Sequence, residues 1–184
     1  MAKLILILGG ARSGKSTYAA QLASSCKKVA YIATARRDDD PEMKERIKEH
    51  QRIRPAGWLT VEEPLAVDKS LAGMEKKVEA VIVDCITLLI TNWLLKGVNG
   101  KMDVKKYRAR ESVILNMIKR LVLAAKKTKP TVIIVSNEVG LGIHPENRLG
   151  RYFRDIAGWS NRILAEAADE IYLMAAGIPL KIKG

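Results

Sequence analysis

The stretch Leu4-Ile5-Leu6-Ile7-Leu8-Gly9-Gly10-Ala11-Arg12-Ser13-Gly14-Lys15-Ser16 joins an aliphatic run to a complete Walker A motif. The run predicts a buried strand, and Thr17 to Ser25 continues as a predicted helix. Gly9 and Gly14 permit backbone angles at which successive N–H groups converge on phosphate oxygens, next to a helix N-terminus. An ordinary Gly-rich turn is the alternative, but strand, loop and helix occur in the order that a nucleotide site requires. The sequence therefore predicts a P-loop that binds a nucleotide.

Four polar side chains are candidates for the chemistry around this loop. Lys15 is expected to reach the β- and γ-phosphates, and the hydroxyl of Ser16 is expected to ligate Mg²⁺. Asp84 ends a later aliphatic run as a Walker B carboxylate does, so it is the second predicted Mg²⁺ ligand; a helix-capping role is the alternative. Glu138 follows another such run, where it could orient a substrate hydroxyl or act as a base, and its role stays open.

Short aliphatic runs alternate with segments of helical periodicity along the chain. The predicted strands are Leu4 to Leu8, Val29 to Ala33, Ala80 to Cys85, Val132 to Ser136 and Ile171 to Ala175. Helices are predicted over Asp103 to about Lys127 and over Asn147 to Ala168. This alternation predicts an α/β fold of the P-loop NTPase (RecA-like) type, with a mostly parallel sheet and helices on both faces, in a single domain spanning residues 1–184. The functional cleft should then lie at the carboxyl ends of the strands and include Gly9 to Ser16, Thr34, Asp84 and Asn137-Glu138.

The composition limits the classes of partner and site. The chain has 32 basic and 20 acidic residues, a net charge of +12, which attracts nucleotides but does not by itself indicate nucleic acid. No nucleic-acid or membrane partner is expected, and the short N-terminal apolar run predicts a cytoplasmic protein. Cys26 and Cys85 lack metal-ligand spacing, so both are predicted to be buried thiols and not part of a disulfide or zinc site.

The segment from Pro41 to Arg54 places His50 among several cations. Met43, Ile47, His50 and Arg54 share one helical face, so His50 could simply pack against the sheet. Alternatively, its neutral imidazole could attack phosphorus and form a phosphoramidate, with Arg52 and Arg54 balancing the phosphate charge. Spacing alone leaves both interpretations open.

Motifs along nearly the whole chain resemble one family, the bifunctional adenosylcobinamide kinase and adenosylcobinamide-phosphate guanylyltransferases of cobalamin biosynthesis. They are Gly9 to Ser16, Tyr31-Ile32-Ala33-Thr34-Ala35, Arg46-Ile47 with His50-Gln51 and Arg54-Pro55, Trp58 to Pro64, Asp84-Cys85-Ile86-Thr87 with Asn92, Ser136 to Gly140, and Phe153-Arg154-Asp155 with Gly158 and Asn161. Arg162 departs from the family pattern, and His144 stands where a small apolar residue is common. We interpret His144 as a loop residue near the cleft and not as a metal ligand.

The resemblance implies an enzyme that phosphorylates adenosylcobinamide and then transfers GMP from GTP to adenosylcobinamide phosphate, releasing pyrophosphate. It implies that His50 carries the GMP. It also implies GTP for the transfer, ATP or GTP for the kinase step, and a homo-oligomer, specifically a trimer. The chemistry itself makes Lys15 the second catalytic residue, together with Mg²⁺, because both would stabilise the departing pyrophosphate. The implied nucleotide-binding residues are Gly9, Gly10, Ala11, Arg12, Ser13, Gly14, Lys15, Ser16, Thr34, Ala35, Arg36, Gln51, Arg52, Ile53, Arg54, Glu62 and Asp84.

Two other functions are compatible with the residues alone. A small-molecule kinase would need only the Walker residues and Mg²⁺, with His50 structural. A RecA-like ATPase acting on nucleic acid would need a basic groove beside the cleft.

Overall fold

The computed structural model describes residues 3–36, 45, 51–52, 54–74, 77–98 and 103–184. These residues form seven strands and five helices. In chain order the elements are β1 (Leu4–Gly9), α1 (Lys15–Ala23), β2 (Val29–Ala33), β3 (Leu59–Glu62), α2 (Val67–Ala72), β4 (Ala80–Asp84), α3 (Ile86–Leu95), α4 (Val104–Lys127), β5 (Thr131–Val135), α5 (Arg148–Ala167), β6 (Glu170–Ala175) and β7 (Ile178–Lys183).

The strands form one sheet in the order β3-β2-β4-β5-β1-β6-β7. Strands β1 to β6 pair in parallel, whereas β7 pairs antiparallel with β6. Since parallel strands end at the same edge, the P-loop after β1 and the tips of β2, β4 and β5 come together there. The fold is thus the α/β P-loop fold predicted from the sequence.

Helices cover both faces of the sheet, because its central strands are apolar on both sides. Ile5 and Ile7 of β1 pack with Ala19 and Ala23 of α1 on one face. The alternate β1 residues, including Leu6, pack with apolar residues of α2 to α5 on the other. Both faces are therefore buried, as the continuous aliphatic runs predict.

Side-chain caps define where the two long helices begin. Asp103 accepts a hydrogen bond from the Lys106 backbone N–H at 2.8 Å, and Asn147 accepts one from Gly150 at 2.7 Å. Each cap satisfies a backbone donor that has no partner within the helix. The helices predicted from Asp103 and from Asn147 are confirmed.

The five predicted strands are confirmed with ends that shift by about one residue, as is usual for element boundaries. Helix α1 begins at Lys15 and ends at Ala23, two residues earlier at both ends than predicted. Two strands of the structure, β3 and β7, were not predicted from the sequence. Strand β3 is short and largely exposed, and β7 is an exposed edge strand containing Pro179, so neither carries the signal of a buried strand.

Most of the segment from Pro41 to Arg54 lies outside the residues that the structure describes. Pro41, Met43, Ile47 and His50 lie outside the described residues, whereas Gln51, Arg52 and Arg54 are described. Among the described helices, none has the length and hydropathy needed to cross a membrane.

Glu170 links β6 to β7 and to the residue that precedes β1, and it provides a test of pH dependence. Its carboxylate accepts hydrogen bonds from Lys181 Nζ at 2.8 Å, Lys3 Nζ at 2.7 Å and Tyr172 OH at 3.0 Å. The hydrogen bonds from Lys181 and then Lys3 lower the pKa of Glu170 from 4.5 to about 2. The folded pKa lies below the unfolded one, so this stabilisation is present above the unfolded pKa and is lost as pH falls towards the folded value.

We expect Glu170→Gln to lower the free energy of unfolding by about 1 kcal/mol at neutral pH, a modest figure because both lysines are partly exposed. The difference from wild type should shrink to less than half at about pH 3. Urea unfolding of both proteins at the two pH values measures it. A difference that does not change with pH would contradict this assignment.

Candidate active site

The P-loop, Gly9 to Ser16, has the backbone conformation expected of a phosphate-binding turn. Gly9 and Gly14 have φ angles of +154° and +92°. A Cβ on Gly9 would lie 2.6 Å from Ser13 Oγ and 2.7 Å from the Met174 carbonyl oxygen. Only glycine fits at Gly9, because an added methyl group would collide with both the loop and β6.

Backbone hydrogen bonds from two other segments hold this loop in place. The Glu138 N–H donates to the Gly9 carbonyl at 3.0 Å, and the Gly177 N–H donates to the Ser13 carbonyl at 3.1 Å. Gly14 caps α1 without a side-chain hydrogen bond, and the first turn carries no acidic residue. The N-terminus of α1 therefore presents its dipole and N–H groups without a competing carboxylate, as suits an anion.

Lys15 is buried in the centre of the candidate site. Its Nζ donates to the Gly10 carbonyl at 2.5 Å and lies 3.4 Å from Ser13 Oγ. Burial lowers the pKa of Lys15 below its usual 10.5, and the nearby Cys85 and Asp84 partly offset this. The ammonium group thus contacts the phosphate-binding turn and feels the charge of Asp84 at the tip of β4.

Asp84 lies at the tip of β4 within a small polar cluster. The Tyr31 hydroxyl donates to Asp84 Oδ2. Burial, with Asp84 adding to it, raises the pKa of Tyr31, so its hydroxyl keeps its proton and remains a donor. The Arg54 guanidinium lies 3.6 Å from the centroid of the Tyr31 ring, and Arg54 Nε is buried with no hydrogen-bond partner among the described residues. The structure thereby brings Arg54 from the His50 segment towards the Walker carboxylate.

Thr34, predicted as a nucleotide contact, has a hydroxyl that is already committed. It donates to the Cys85 carbonyl at 2.7 Å and accepts from the Cys85 N–H at 2.8 Å. The Thr34 N–H donates to the Asp84 carbonyl, and its carbonyl accepts from Asn92 Nδ2. Thr34 is fully buried. Its visible role is to join the tips of β2 and β4, which fixes the position of Asp84.

We expect Thr34→Val to lower the free energy of unfolding by about 2–4 kcal/mol, because it leaves a buried N–H and a buried carbonyl of Cys85 without partners. Thr34→Ser is the matched control: it retains both hydrogen bonds and should cost clearly less. Urea unfolding of the two variants measures the difference. Equal losses in both would show that the methyl group, not the hydroxyl, stabilises this junction.

A second chain of hydrogen bonds links the start of α3, the residues that follow β5, and α5. Asn137 Nδ2 donates to Thr87 Oγ1 at 2.8 Å, and Ser136 Oγ donates to Asn161 Oδ1 at 2.7 Å. Asn161 Nδ2 donates to the Asn137 carbonyl at 3.1 Å and lies 3.4 Å from Glu138 Oε2. These bonds fix the backbone that carries Glu138 to the P-loop. Glu138 therefore lies in the predicted cleft.

Three residues that hold predicted site residues in place were not themselves predicted as site residues. They are Tyr31, Thr87 and Asn161. Each belongs to a motif quoted for the family resemblance. Their signal is a polar side chain in an otherwise apolar setting, since Tyr31 interrupts an aliphatic strand and Asn161 lies on the buried face of α5. Buried polar groups need partners, and here those partners are the predicted site residues.

The remaining predicted contacts lie around this centre. Ala35 and Arg36 follow β2 and are half-buried, while Glu62 ends β3 in register with Ala33. Gln51 and Arg52 are exposed. His50 and Ile53, both predicted site residues, lie outside the described residues. The structure places Lys15, Asp84 and Glu138 at the same edge of the sheet, with Arg54 against Tyr31 beside Asp84.

Metal and thiol chemistry can be assessed over the described part of the chain. There, no three His, Cys, Asp or Glu residues are grouped so as to hold a metal ion. Both cysteines are free, and burial raises the pKa of the Cys85 thiol to about 11. Cys85 is thus a protonated thiol at neutral pH, and it contacts Thr87 Oγ1 at 3.2 Å. The predicted burial is confirmed for Cys85 and wrong for Cys26, which is only partly buried.

The two departures from the family pattern lie at the surface. His144 is exposed and its Nδ1 lies 2.7 Å from Arg154 Nη1. Because a guanidinium can only donate, Nδ1 accepts this hydrogen bond. Arg162 is exposed on α5, one residue after the buried Asn161.

Comparisons with known proteins cover nearly the whole chain. A family model described as cobinamide kinase / cobinamide phosphate guanyltransferase matches residues 5–182. The bifunctional adenosylcobalamin biosynthesis protein CobU of Salmonella typhimurium is 44% identical over 182 residues, which are 98% of this chain and 99% of the relative. The CobU protein of Escherichia coli is 43% identical over 98% of this chain and 99% of its own. The CobP protein of Pseudomonas aeruginosa is 41% identical over 97% and 96%.

Proposed function

The chain belongs to the cobinamide kinase / cobinamide phosphate guanyltransferase family, and we propose that its P-loop cleft serves both reactions. In the first reaction adenosylcobinamide takes the γ-phosphoryl group of ATP or GTP on a hydroxyl. In the second, GMP from GTP is transferred to the new phosphate through a GMP adduct of His50, which gives adenosylcobinamide-GDP and pyrophosphate. The observation that carries this proposal is the buried Lys15 ammonium, which is bonded to the Gly10 carbonyl of the P-loop at the edge of the sheet where β4 ends in Asp84.

The two candidate ligands are suited to Mg²⁺ and not to a metal ion coordinated entirely by protein side chains. Ser16 at the start of α1 and Asp84 at the tip of β4 supply one hydroxyl and one carboxylate. Mg²⁺ is usually held by one or two such groups together with substrate phosphates and water. When bound there, the ion would neutralise charge on the β- and γ-phosphates.

The kinase step needs positioning and charge neutralisation by this chain. The N–H groups of the P-loop and of the start of α1 would hold the phosphates, and Lys15 would stabilise charge on the departing oxygen. The substrate hydroxyl attacks the γ-phosphorus, the bond to the β-phosphate oxygen breaks, and the hydroxyl proton must leave. Glu138 is the candidate acceptor, since Asn161 and the bond to Gly9 hold it at the cleft.

The guanylyl transfer adds a covalent step. A neutral ring nitrogen of His50 attacks the α-phosphorus of GTP, the bond to the β-phosphate breaks, and pyrophosphate leaves. A phosphate oxygen of adenosylcobinamide phosphate then attacks the same phosphorus and the P–N bond breaks, which regenerates the imidazole. Arg54, held over Tyr31 beside Asp84, is the described member of the His50 segment that supports this proposal.

Incubation with GTP labelled at either the α- or the γ-phosphate tests the covalent step. We expect label to remain on the protein only from the α-phosphate, with the acid-labile and base-stable behaviour of a phosphoramidate. An active kinase that takes up no label would instead favour a kinase that uses only the Walker residues.

Asp84→Asn tests the metal assignment. The neutral amide oxygen can still accept from Tyr31, so the free energy of unfolding should change by no more than about 1 kcal/mol. The Mg²⁺ concentration for half-maximal kinase activity should rise about tenfold or more, because a carboxylate ligand is lost. An unchanged Mg²⁺ titration would remove Asp84 from the metal site.

The trimeric assembly, the cytoplasmic location and the absence of nucleic-acid binding stay predictions. Light scattering tests the trimeric assembly directly.

A further inference from the structure

A loop beside the proposed site exposes two large apolar side chains. It is defined by residues 139–147, between the tip of β5 and the start of α5. Leu141 is 86% exposed and Ile143 is 96% exposed, whereas the other exposed large apolar side chains of the described residues lie between 37% and 62%. Leu141 and Ile143, here called the apolar tip, therefore pack against nothing within the chain as described.

The exposure of the apolar tip does not come from a loose loop. The Gly140 N–H donates to Glu138 Oε1 at 2.9 Å on one side of the tip. On the other side, Arg151 Nη1 donates to the Pro145 carbonyl at 3.0 Å, and His144 Nδ1 lies 2.7 Å from Arg154 Nη1. Both flanks of the tip are fastened, so the two side chains are presented to solvent by a defined backbone.

The loop is continuous with the P-loop cleft. The Glu138 N–H donates to the Gly9 carbonyl of the P-loop at 3.0 Å, and the apolar tip begins three residues further along the chain. The loop therefore starts directly beside the carboxylate proposed to take the proton of the substrate hydroxyl. The phosphates of the nucleotide do not need the tip, because phosphates are recognised by N–H groups and cations.

We propose that the apolar tip binds the corrin macrocycle of the substrate, an inference that rests on the proposed function of the cleft. A corrin ring carries methyl groups around its rim, so it can cover Leu141 and Ile143 and remove both from water. A contact between two copies of this chain is the competing occupant. Two side chains fall well short of the roughly 800 Å² that each partner contributes to a standard interface. They are enough for one face of a small-molecule site.

The test compares a variant of the apolar tip with a matched control. Leu141→Ser with Ile143→Ser should raise both KM and Kd for adenosylcobinamide about tenfold or more. KM for the nucleotide and GMP labelling in the absence of corrinoid should stay within about twofold, since the proposal assigns the tip to the corrinoid alone. Binding is measured by ultrafiltration, using the visible absorbance of the corrinoid, so it requires no turnover.

Leu123→Ser is the control. Leu123 is 58% exposed and lies near the end of α4, which precedes the amino end of β5. It is therefore at the edge of the sheet opposite the cleft. This variant should leave KM and Kd for adenosylcobinamide unchanged. An unchanged Kd for adenosylcobinamide in the tip variant would overturn the proposal. A lower molar mass of the tip variant by light scattering would also overturn it, because the tip would then form a contact between copies of the chain. If wild type lacked kinase activity or GMP labelling, the proposed function would fail, while the Kd comparison would still decide what the tip binds.

Discussion

His50→Asn should abolish covalent labelling by α-labelled GTP and lower guanylyl transfer by at least about a thousandfold. Kinase activity on adenosylcobinamide should persist within about tenfold, because the substrate hydroxyl can attack the γ-phosphorus directly. The asymmetry follows from the chemistry, since only the nucleotidyl transfer needs an imidazole to form a bond to phosphorus. Parallel assays of labelling, transfer and phosphorylation on one preparation measure it.

His144→Asn is the matched control for labelling. The two histidines are the only ones in the chain, and His144 is exposed with its Nδ1 accepting from Arg154. GMP labelling without corrinoid should therefore be unaffected by its replacement. Loss of labelling in His144→Asn with full labelling in His50→Asn would transfer the nucleophile to the loop of residues 139–147. Persistent kinase activity with no labelling in any variant, wild type included, would make His50 structural.

Lys15→Ala should reduce both kinase and transferase activity by about a hundredfold to a thousandfold or more. In each reaction Lys15 neutralises phosphate charge, and its burial beside the P-loop makes the interaction stronger than it would be in water. Steady-state kinetics of the two reactions, with unfolding curves to confirm the fold, measure the effect. Both activities should fall together because they share one ammonium group.

Lys28→Ala removes the same charge from an exposed position next to the amino end of β2, at the edge of the sheet opposite the cleft. It separates the specific role of Lys15 from the general attraction of nucleotides by a chain of net charge +12. Its activities should stay within about twofold of wild type. Retention of full kinase activity in Lys15→Ala would contradict a site shared by the two reactions.

The sequence alone predicted the fold class, and it predicted which of the proposed site residues lie at one edge of the sheet. The aliphatic run before Gly9 predicts a strand buried on both faces, and the Walker residues are contiguous, so their geometry is local. Asp84 and Glu138 could be placed in the same cleft because the tips of parallel strands share one edge. Strands β3 and β7 were not predicted, because their local sequence signals are weak and their strand character depends on pairing with a neighbour.

The supporting contacts required the tertiary structure. Thr34 follows its strand as a predicted nucleotide contact, yet its hydroxyl is used by Cys85, 51 positions away in the sequence. The bond from Tyr31 to Asp84 and the bonds from Asn161 to the β5 tip join segments that sequence spacing does not relate. Local patterns determine which residues lie at the edge of the sheet, whereas long-range packing determines which of them remain available to a ligand and which hold the others in place.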